Sequence, residues 1–234
     1  EGPYAVRHIY STLNPNEMNG NFIGVSQTNP PAFAAGTRTS PLDGLNLARI
    51  FPGKENGTPT ERIAHHLGKA IIDRVDFLID LHSSGTHSVM PRLVGYDASN
   101  TDAGHLSQEA AFAFGAPVVW GHPDLAAGRT VSCAGEQGIP WLYTECPGGG
   151  GLDTESAGHY VRGVENVMSV MGILPGELEK HEPTHHLLGS GDVDGSLTTK
   201  TAGYLVQAVS VLDHVAPGDL LGKVLALDGT VVEE

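Results

Sequence analysis

The spacing of apolar residues divides the chain into a long helix-and-strand region and a shorter, strand-rich tail. Four segments carry apolar residues at helical spacing, which predicts amphipathic helices at residues 3–13, 59–75, 102–116 and 153–173. Short apolar runs without that period predict strands at residues 20–25, 75–81, 89–96, 118–120 and 139–145. Helices that alternate with buried strands predict an α/β fold with a mixed, largely parallel sheet and helices on both faces.

The helical spacing ends near residue 175. Short apolar runs separated by turns follow at residues 203–206, 209–212 and 220–227, and Asp228-Gly229 is typical of a hairpin turn. Residues 177–186 resemble a linker or a strand that crosses to a new module. We therefore predict an α/β domain over residues 1–175 and a small all-β module over residues 176–234.

The strand predicted at residues 75–81 runs into Asp80-Leu81-His82. We expect this strand to be buried on both faces in the middle of the sheet. Asp80 and His82 are two residues apart and therefore point to one face, and α/β sheets bind ligands at the carboxyl ends of their strands. His82 is thus a candidate metal ligand whose ring Asp80 would orient. The simpler alternative is a histidine that bonds only to a backbone carbonyl.

A second strand end carries a carboxylate. The strand predicted at residues 139–145 ends in Glu145, and four glycines follow after Cys146 and Pro147. Charged side chains are rarely buried without a partner, and glycines let a substrate come close to the backbone. Glu145 is therefore a candidate catalytic residue, and the alternative is an edge glutamate beside a flexible loop.

Charge and composition narrow the class of partner. The 234 residues carry a formal net charge of −14, from 27 acidic and 13 basic residues, which argues against nucleic-acid binding. No apolar run approaches the 18 or so residues of a membrane helix, and two isolated cysteines form no disulfide framework. A cytoplasmic protein is the default expectation, and a homo-oligomer stays open. The weakly periodic loop at residues 29–57 holds Arg38 and Arg49, which favours a functional loop that binds an anionic small molecule.

Three segments carry a family signature when they are read together. They are residues 29–53, with Arg38, Asp43-Gly44-Leu45-Asn46 and Arg49-Ile50-Phe51-Pro52-Gly53; Asp80-Leu81-His82; and Thr144-Glu145 before the glycines. In order and spacing they resemble the succinylglutamate desuccinylase/aspartoacylase family, the amidohydrolase branch of the zinc carboxypeptidase fold. The tail is similar to the barrel-sandwich module that many members carry.

The resemblance implies a role for each matching residue. His82 corresponds to the third zinc ligand and Glu145 to the catalytic glutamate. Arg38 corresponds to the arginine that polarises the scissile carbonyl, and Arg49 to the one that holds a substrate carboxylate. Ala48 departs from the family, which has Asn before that second arginine. Two further substrate-binding candidates are Asn46 and, in the polar loop at residues 128–138, Arg129.

The resemblance also implies one Zn²⁺ per chain and a small anionic N-acyl amino acid as substrate. The first two zinc ligands of the family lie in a His-Gly-x-Glu motif that Glu-Gly often follows, so Glu1-Gly2 predicts that both precede residue 1. We also expect the domain and the β module to be truncated here. If the chain itself completed the site, the candidates would be Glu1, His87 and the His185-His186 pair.

The chemistry agrees with this implication, because a catalytic zinc takes three protein ligands and leaves one position for water. We therefore predict a zinc-dependent deacylase that cleaves the amide bond of a small N-acyl amino acid, with Glu145 as general base. Two alternatives stay open. One is a metallocarboxypeptidase that acts on peptides, and the other is a non-catalytic binding protein, if the His-Gly-x-Glu motif is absent.

Overall fold

The computed structural model describes residues 1–86, 88–176, 181–189 and 197–234. They form two compact units, Glu1–Ser190 and Gly191–Glu234. Within the described part of the chain, none of the helices has the length and apolar character that a membrane crossing requires.

Several helices of the first unit begin at a capping side chain. The helices of this unit are α1 (Gly2–Thr12), α2 (Pro30–Ala35), α3 (Pro59–Ala70), α4 (Asp102–Phe114), α5 (Thr130–Gly135) and α6 (Thr154–Val170). Short 3₁₀ turns lie at Pro15–Glu17, Leu47–Arg49 and Ile72–Arg74. A proline in the first turn and a capping box between Thr58 and Glu61 start α3. Asp153 caps α6 through its side chain.

The first unit is built on one mixed sheet. Its strands are β1 (Leu78–Leu81), β2 (Leu93–Asp97), β3 (Val118–His122), β4 (Trp141–Glu145) and β5 (His185–Leu188), in the order β1-β4-β2-β3-β5. Among the described strands of this sheet, three neighbouring pairs are parallel and only the β2–β4 pair is antiparallel. The largely parallel sheet is therefore confirmed. Because β1 and β4 are parallel, their carboxyl ends lie at the same end of the sheet.

Helices cover both faces of the sheet, as predicted. One apolar cluster joins α1, α4 and α6 to β-strand residues such as Tyr96 and Leu142. A second cluster joins α3 and α5 to Leu78 and Trp141. Side chains alternate between the two faces along each strand, so a strand such as β4 contributes to both clusters.

Several local predictions are wrong. The strand β1 lies at the edge of the described sheet and is only partly buried, because an apolar run does not show how many neighbours a strand has. Residues 20–25 form no strand within the described residues. The loop at residues 29–57 contains α2, which begins after the capping side chain of Asn29. The polar loop at residues 128–138 contains α5.

The division between the units lies later than the predicted residue 175. Strand β5 pairs with β3 in parallel, so residues that resemble a linker belong to the main sheet of the first unit. A four-residue strand with two histidines carries too weak a pattern to separate it from a linker. Residues 177–180 of that predicted linker lie outside the described residues.

The second unit contains an antiparallel sheet of β6 (Tyr204–Gln207), β7 (Gly222–Leu225) and β8 (Val231–Glu233), in that order. The predicted hairpin turn is present, because Gly229 has φ 86° and the backbone N–H of Thr230 donates to Asp228 at 2.9 Å. Residues 209–212, predicted as a strand, include a turn in which the backbone N–H of Ser210 donates to Asp213. A small β unit is confirmed, and its barrel-sandwich form stays a prediction.

Candidate functional site

Asp80 and His82 meet at the carboxyl end of β1. The Nε2 atom of His82 lies 3.0 Å from Oδ2 of Asp80, and the hydroxyl of Thr130 donates to the same carboxylate oxygen. The backbone of His82 is also fixed, because its N–H donates to the carbonyl of Thr144 at 3.1 Å and its carbonyl accepts from the hydroxyl of Tyr160 at 2.6 Å. Asp80 therefore orients the ring, Thr144 and Tyr160 fix the backbone, and the alternative of a bond from the ring to a backbone carbonyl alone does not describe His82.

Glu145 shares the face of His82. Asp80 pairs with Tyr143 in the parallel ladder, so the residues two further on, His82 and Glu145, lie at the same level on the same face. The Oε2 atom of Glu145 is buried and has no hydrogen-bond partner among the described residues. A buried polar atom without a partner is uncommon in folded proteins and indicates a ligand or a water.

The electrostatics show that these groups act on one another. Burial raises the pKa of Glu145; His82, Arg38 and Arg49 oppose the shift and Asp80 adds to it. The attraction of Asp80 raises the pKa of His82 to about 9 against the opposing effect of burial. Burial also acts to raise the pKa of Asp80, but His82 and the hydrogen bond from Thr130 outweigh it and lower the pKa. The carboxylates and the histidine therefore form one coupled group.

The arginines predicted for the site come from loops around this group. Arg38 and Arg49 are exposed and close enough to shift the pKa of Glu145. Arg129 is half-buried, acts on the neighbouring Tyr143, and donates from Nη1 to the carbonyl of Ala126 at 2.7 Å. The structure thus places all three arginines near the end of the sheet at which β1 and β4 terminate.

Asn46 has a structural contact in the loop at residues 29–57, here called the arginine loop because it holds Arg38 and Arg49. Its side-chain oxygen accepts from the backbone N–H of Ala48 at 3.1 Å and caps the 3₁₀ turn Leu47–Arg49. Asn46 therefore fixes the backbone beside Arg49. Its substrate-binding role stays a prediction.

Asp43 anchors the arginine loop to α3, a role that the sequence reading missed. One carboxylate oxygen accepts from the backbone N–H of Thr60 at 2.7 Å, and the other accepts from the Thr60 hydroxyl at 2.7 Å and from the backbone N–H of Leu45 at 3.2 Å. Partial burial opposes ionisation, yet these bonds lower the pKa of Asp43 to about 2. In the sequence, this contact is indicated by nothing more than a carboxylate 17 residues before Thr60, in the first turn of α3.

Gly128 joins the arginine loop to the segment that carries Arg129. Its carbonyl accepts from the backbone N–H of Phe51 at 3.0 Å. It has φ +91°, and a Cβ there would lie 2.5 Å from the carbonyl oxygen of Arg49. Only glycine therefore lets the two segments approach this closely.

A cleft of about 880 Å³ runs along β1. Polar side chains line one part of it, among them Arg38, Asn46, Asp80, His82 and Thr130. The rest is largely apolar, with residues of α1, β1 and α6. Proposed site residues thus open onto a volume that accommodates a small organic molecule.

The donor set fits one position of a zinc site. His82 uses Nε2 to meet a carboxylate, which leaves Nδ1 for a metal, and ligating histidines are typically held in this way. Among the described residues, no three His, Cys, Asp or Glu side chains come together as a metal site. His82 therefore fits as a single ligand, and a complete zinc site needs donors in addition to these.

The other suggested donors are engaged elsewhere or are not described. Glu1 accepts from the backbone N–H of Asp153 at 3.0 Å. His185 and His186 lie on β5, at the far side of the sheet, and His186 meets the hydroxyl of Tyr96 at 3.1 Å. His87 lies outside the described residues.

Comparison with known proteins identifies the same family that the sequence motifs resemble. Residues 1–171 match the sequence profile of the succinylglutamate desuccinylase/aspartoacylase catalytic domain. The chain is 33% identical over 226 residues to the N-α-acetyl-L-2,4-diaminobutyric acid deacetylase of Halomonas elongata. That match covers 96% of this chain and 66% of the relative, so the chain spans just under two thirds of that protein.

Solved structures show the same fold. The product-bound ectoine utilization protein EutE (DoeB) of Ruegeria pomeroyi superposes with a TM-score of 0.90 and 32% identity, covering 99% of this chain and 72% of the other. The succinylglutamate desuccinylase/aspartoacylase of Rhodobacter sphaeroides superposes with a TM-score of 0.89 and 26% identity, again over 99% and 72%. The similarity therefore extends over both described units.

Proposed function

Because the chain belongs to the succinylglutamate desuccinylase/aspartoacylase family, we propose that it hydrolyses the amide bond of a small N-acyl amino acid. The observation that carries this proposal is the buried, unpartnered Oε2 of Glu145 on the same face as His82. A carboxylate with a raised pKa at a strand end suits proton transfer near neutral pH.

We infer that the enzyme uses one zinc ion, with His82 as one ligand and the remaining ligands outside the described residues. Asp80 orients the His82 ring through Nε2 and increases its basicity. When bound, a zinc ion supplies a water of lowered pKa and polarises the amide carbonyl.

The side chains of this chain carry out proton transfer, stabilisation of the carbonyl oxygen and binding of the substrate carboxylate. Glu145 accepts a proton at Oε2 from the attacking water and delivers it to the leaving amine. Arg38 donates to the carbonyl oxygen as negative charge develops there. Arg49 and Arg129 hold the substrate carboxylate, for which the planar guanidinium fork is suited. Asn46 supports Arg49 through the cap on Ala48.

The acyl group is proposed to be acetyl. The relative from Halomonas elongata is a deacetylase of N-α-acetyl-L-2,4-diaminobutyric acid, and the Ruegeria pomeroyi neighbour is an ectoine utilization protein. N-α-acetyl-L-2,4-diaminobutyrate is therefore the first substrate to test on this protein.

The test is release of the free amino acid by the purified full-length protein after zinc loading. Substrates are N-α-acetyl-L-2,4-diaminobutyrate, N-acetyl-aspartate, N-succinyl-glutamate and a dipeptide with a free carboxyl terminus. We expect turnover of at least one N-acyl amino acid. Metal chelation should abolish this turnover, and added zinc should restore it. Cleavage of the dipeptide alone would instead support a metallocarboxypeptidase. Binding without turnover of any substrate would support a non-catalytic binding protein and overturn the proposal.

A further inference from the structure

The Thr130 hydroxyl lies behind the pair formed by Asp80 and His82. It donates to Oδ2 of Asp80, the same oxygen that meets Nε2 of His82 at 3.0 Å. A carboxylate that accepts from two donors on one oxygen has its orientation fixed by both. The position of the His82 ring therefore depends on a residue of α5, and Thr130 belongs to a different segment from both strand ends.

Thr130 is also the residue next to Arg129, and this short segment is tied down on several sides. Ser132 donates from Oγ to the Arg129 carbonyl at 2.9 Å and accepts from the Arg129 N–H at 2.9 Å. Gly128 accepts from the N–H of Phe51, at the end of the arginine loop. The backbone of residues 128–130 thus contacts the arginine loop on one side and Asp80 on the other.

We propose that Thr130 is a positioning residue that couples the proposed metal ligand His82 to the proposed carboxylate-binding residue Arg129. The inference rests on the proposed function for the roles of His82 and Arg129. A hydrogen bond from Thr130 holds Asp80, and the peptide bond between residues 129 and 130 passes any shift of that anchor to Arg129. The affinity for zinc and the affinity for the substrate carboxylate therefore both depend on the segment at residues 128–130.

The test replaces Thr130 with Val in the full-length protein, which removes the hydroxyl and keeps the shape. Zinc affinity is measured by competition with a chromophoric chelator, without substrate. We expect the zinc dissociation constant to rise about tenfold, at the lower end of the effect of removing an outer partner of a metal ligand. KM for a free-carboxylate substrate should rise as well, and Thr130→Ser should restore both. If Thr130→Val does not fold, Thr130→Ala carries the same measurement.

Two comparisons separate positioning from general destabilisation. Thr101→Val removes a hydroxyl that caps α4 by accepting from the N–H of Gly104 at 3.0 Å, away from the site, and it should lower the melting temperature without changing zinc affinity. In an Asp80→Asn background, Thr130→Val should add less than about a twofold further loss, because residues in one network are not additive.

Unchanged zinc affinity and unchanged KM in Thr130→Val would overturn the inference, even with a fully active wild-type enzyme. The inference would also be overturned if the zinc dissociation constant and KM rose by the same factors in Thr101→Val as in Thr130→Val. Failure of the proposed function is recognised separately, since it would leave the wild-type protein without turnover of any N-acyl amino acid while the zinc titration still reports on Thr130.

Discussion

The two halves of the candidate site are held in different ways. Asp80, His82 and Glu145 lie at the ends of β1 and β4, and the register of a parallel ladder sets their spacing. Arg38 and Arg49 lie in a long loop whose position depends on individual contacts, from Asp43 to Thr60 and from Gly128 to Phe51.

The difference predicts which half tolerates change. The backbone at a strand end is fixed by the hydrogen bonds of the ladder, which no single side chain controls. A loop is fixed by a few side chains and glycines, so one substitution far from the chemistry can displace an arginine. A change in the loop can therefore alter which substrate is bound while the strand ends stay in place.

The largest effect should follow from a change in the strand-end half. Glu145→Gln keeps the size of the side chain and removes the proton acceptor. We expect kcat to fall by about 10²–10⁴-fold with little change in KM. Steady-state kinetics on the zinc-loaded protein measures this, with zinc content and circular dichroism as controls. Near-normal turnover would show that Glu145 is not the base.

The second effect should come from the loop half. Arg49→Lys exchanges a planar fork for a point charge, so we expect kcat/KM for a free-carboxylate substrate to fall by about 10- to 100-fold. An analogue with that carboxylate amidated should be much less sensitive. Arg129→Lys, measured alongside, shows which arginine holds the carboxylate. An equal loss for both substrates in both variants would make these arginines structural.

The two halves also differ in how far the sequence predicts them. Short apolar runs ending in His82 and Glu145 were enough to place both residues at strand ends, because side-chain periodicity is local. The edge position of β1 and the strand β5 could not be predicted, since they depend on which segments pair across long distances. The helix α5 could not be predicted because its six residues are too few to show a helical period. The anchors Thr130 and Asp43 were missed for the same reason: their partners lie 50 and 17 residues away along the chain.

A third prediction tests whether one glycine positions the loop half. Gly128→Ala places a Cβ 2.5 Å from the carbonyl oxygen of Arg49, whereas Gly138→Ala meets nothing within 4 Å, and both glycines have positive φ. Both variants should lose about 1 kcal/mol or more of stability from backbone strain. Only Gly128→Ala should also lower kcat/KM, by about three- to tenfold if a small shift of Arg49 weakens orientation.

Unfolding curves and steady-state kinetics on this glycine pair separate strain from displacement. An equal change in kcat/KM for both variants would mean that strain alone, and not contact with Arg49, affects activity. No change in either would mean that the loop adapts without moving its arginine.

The smallest effect concerns the charge that anchors the loop. Asp43 has a pKa of about 2 in the folded protein and an ordinary value of 3.8. A lowered pKa stabilises the folded state above pH 3.8, and that contribution is lost as the pH falls from about 4 to about 2. Asp43→Asn should therefore lower the melting temperature at pH 7 by a few degrees at most. The gap between variant and wild type should narrow below pH 4. Melting curves from pH 7 to pH 2 measure this, and a gap that stays constant over that range would show that the ionised carboxylate does not anchor the loop.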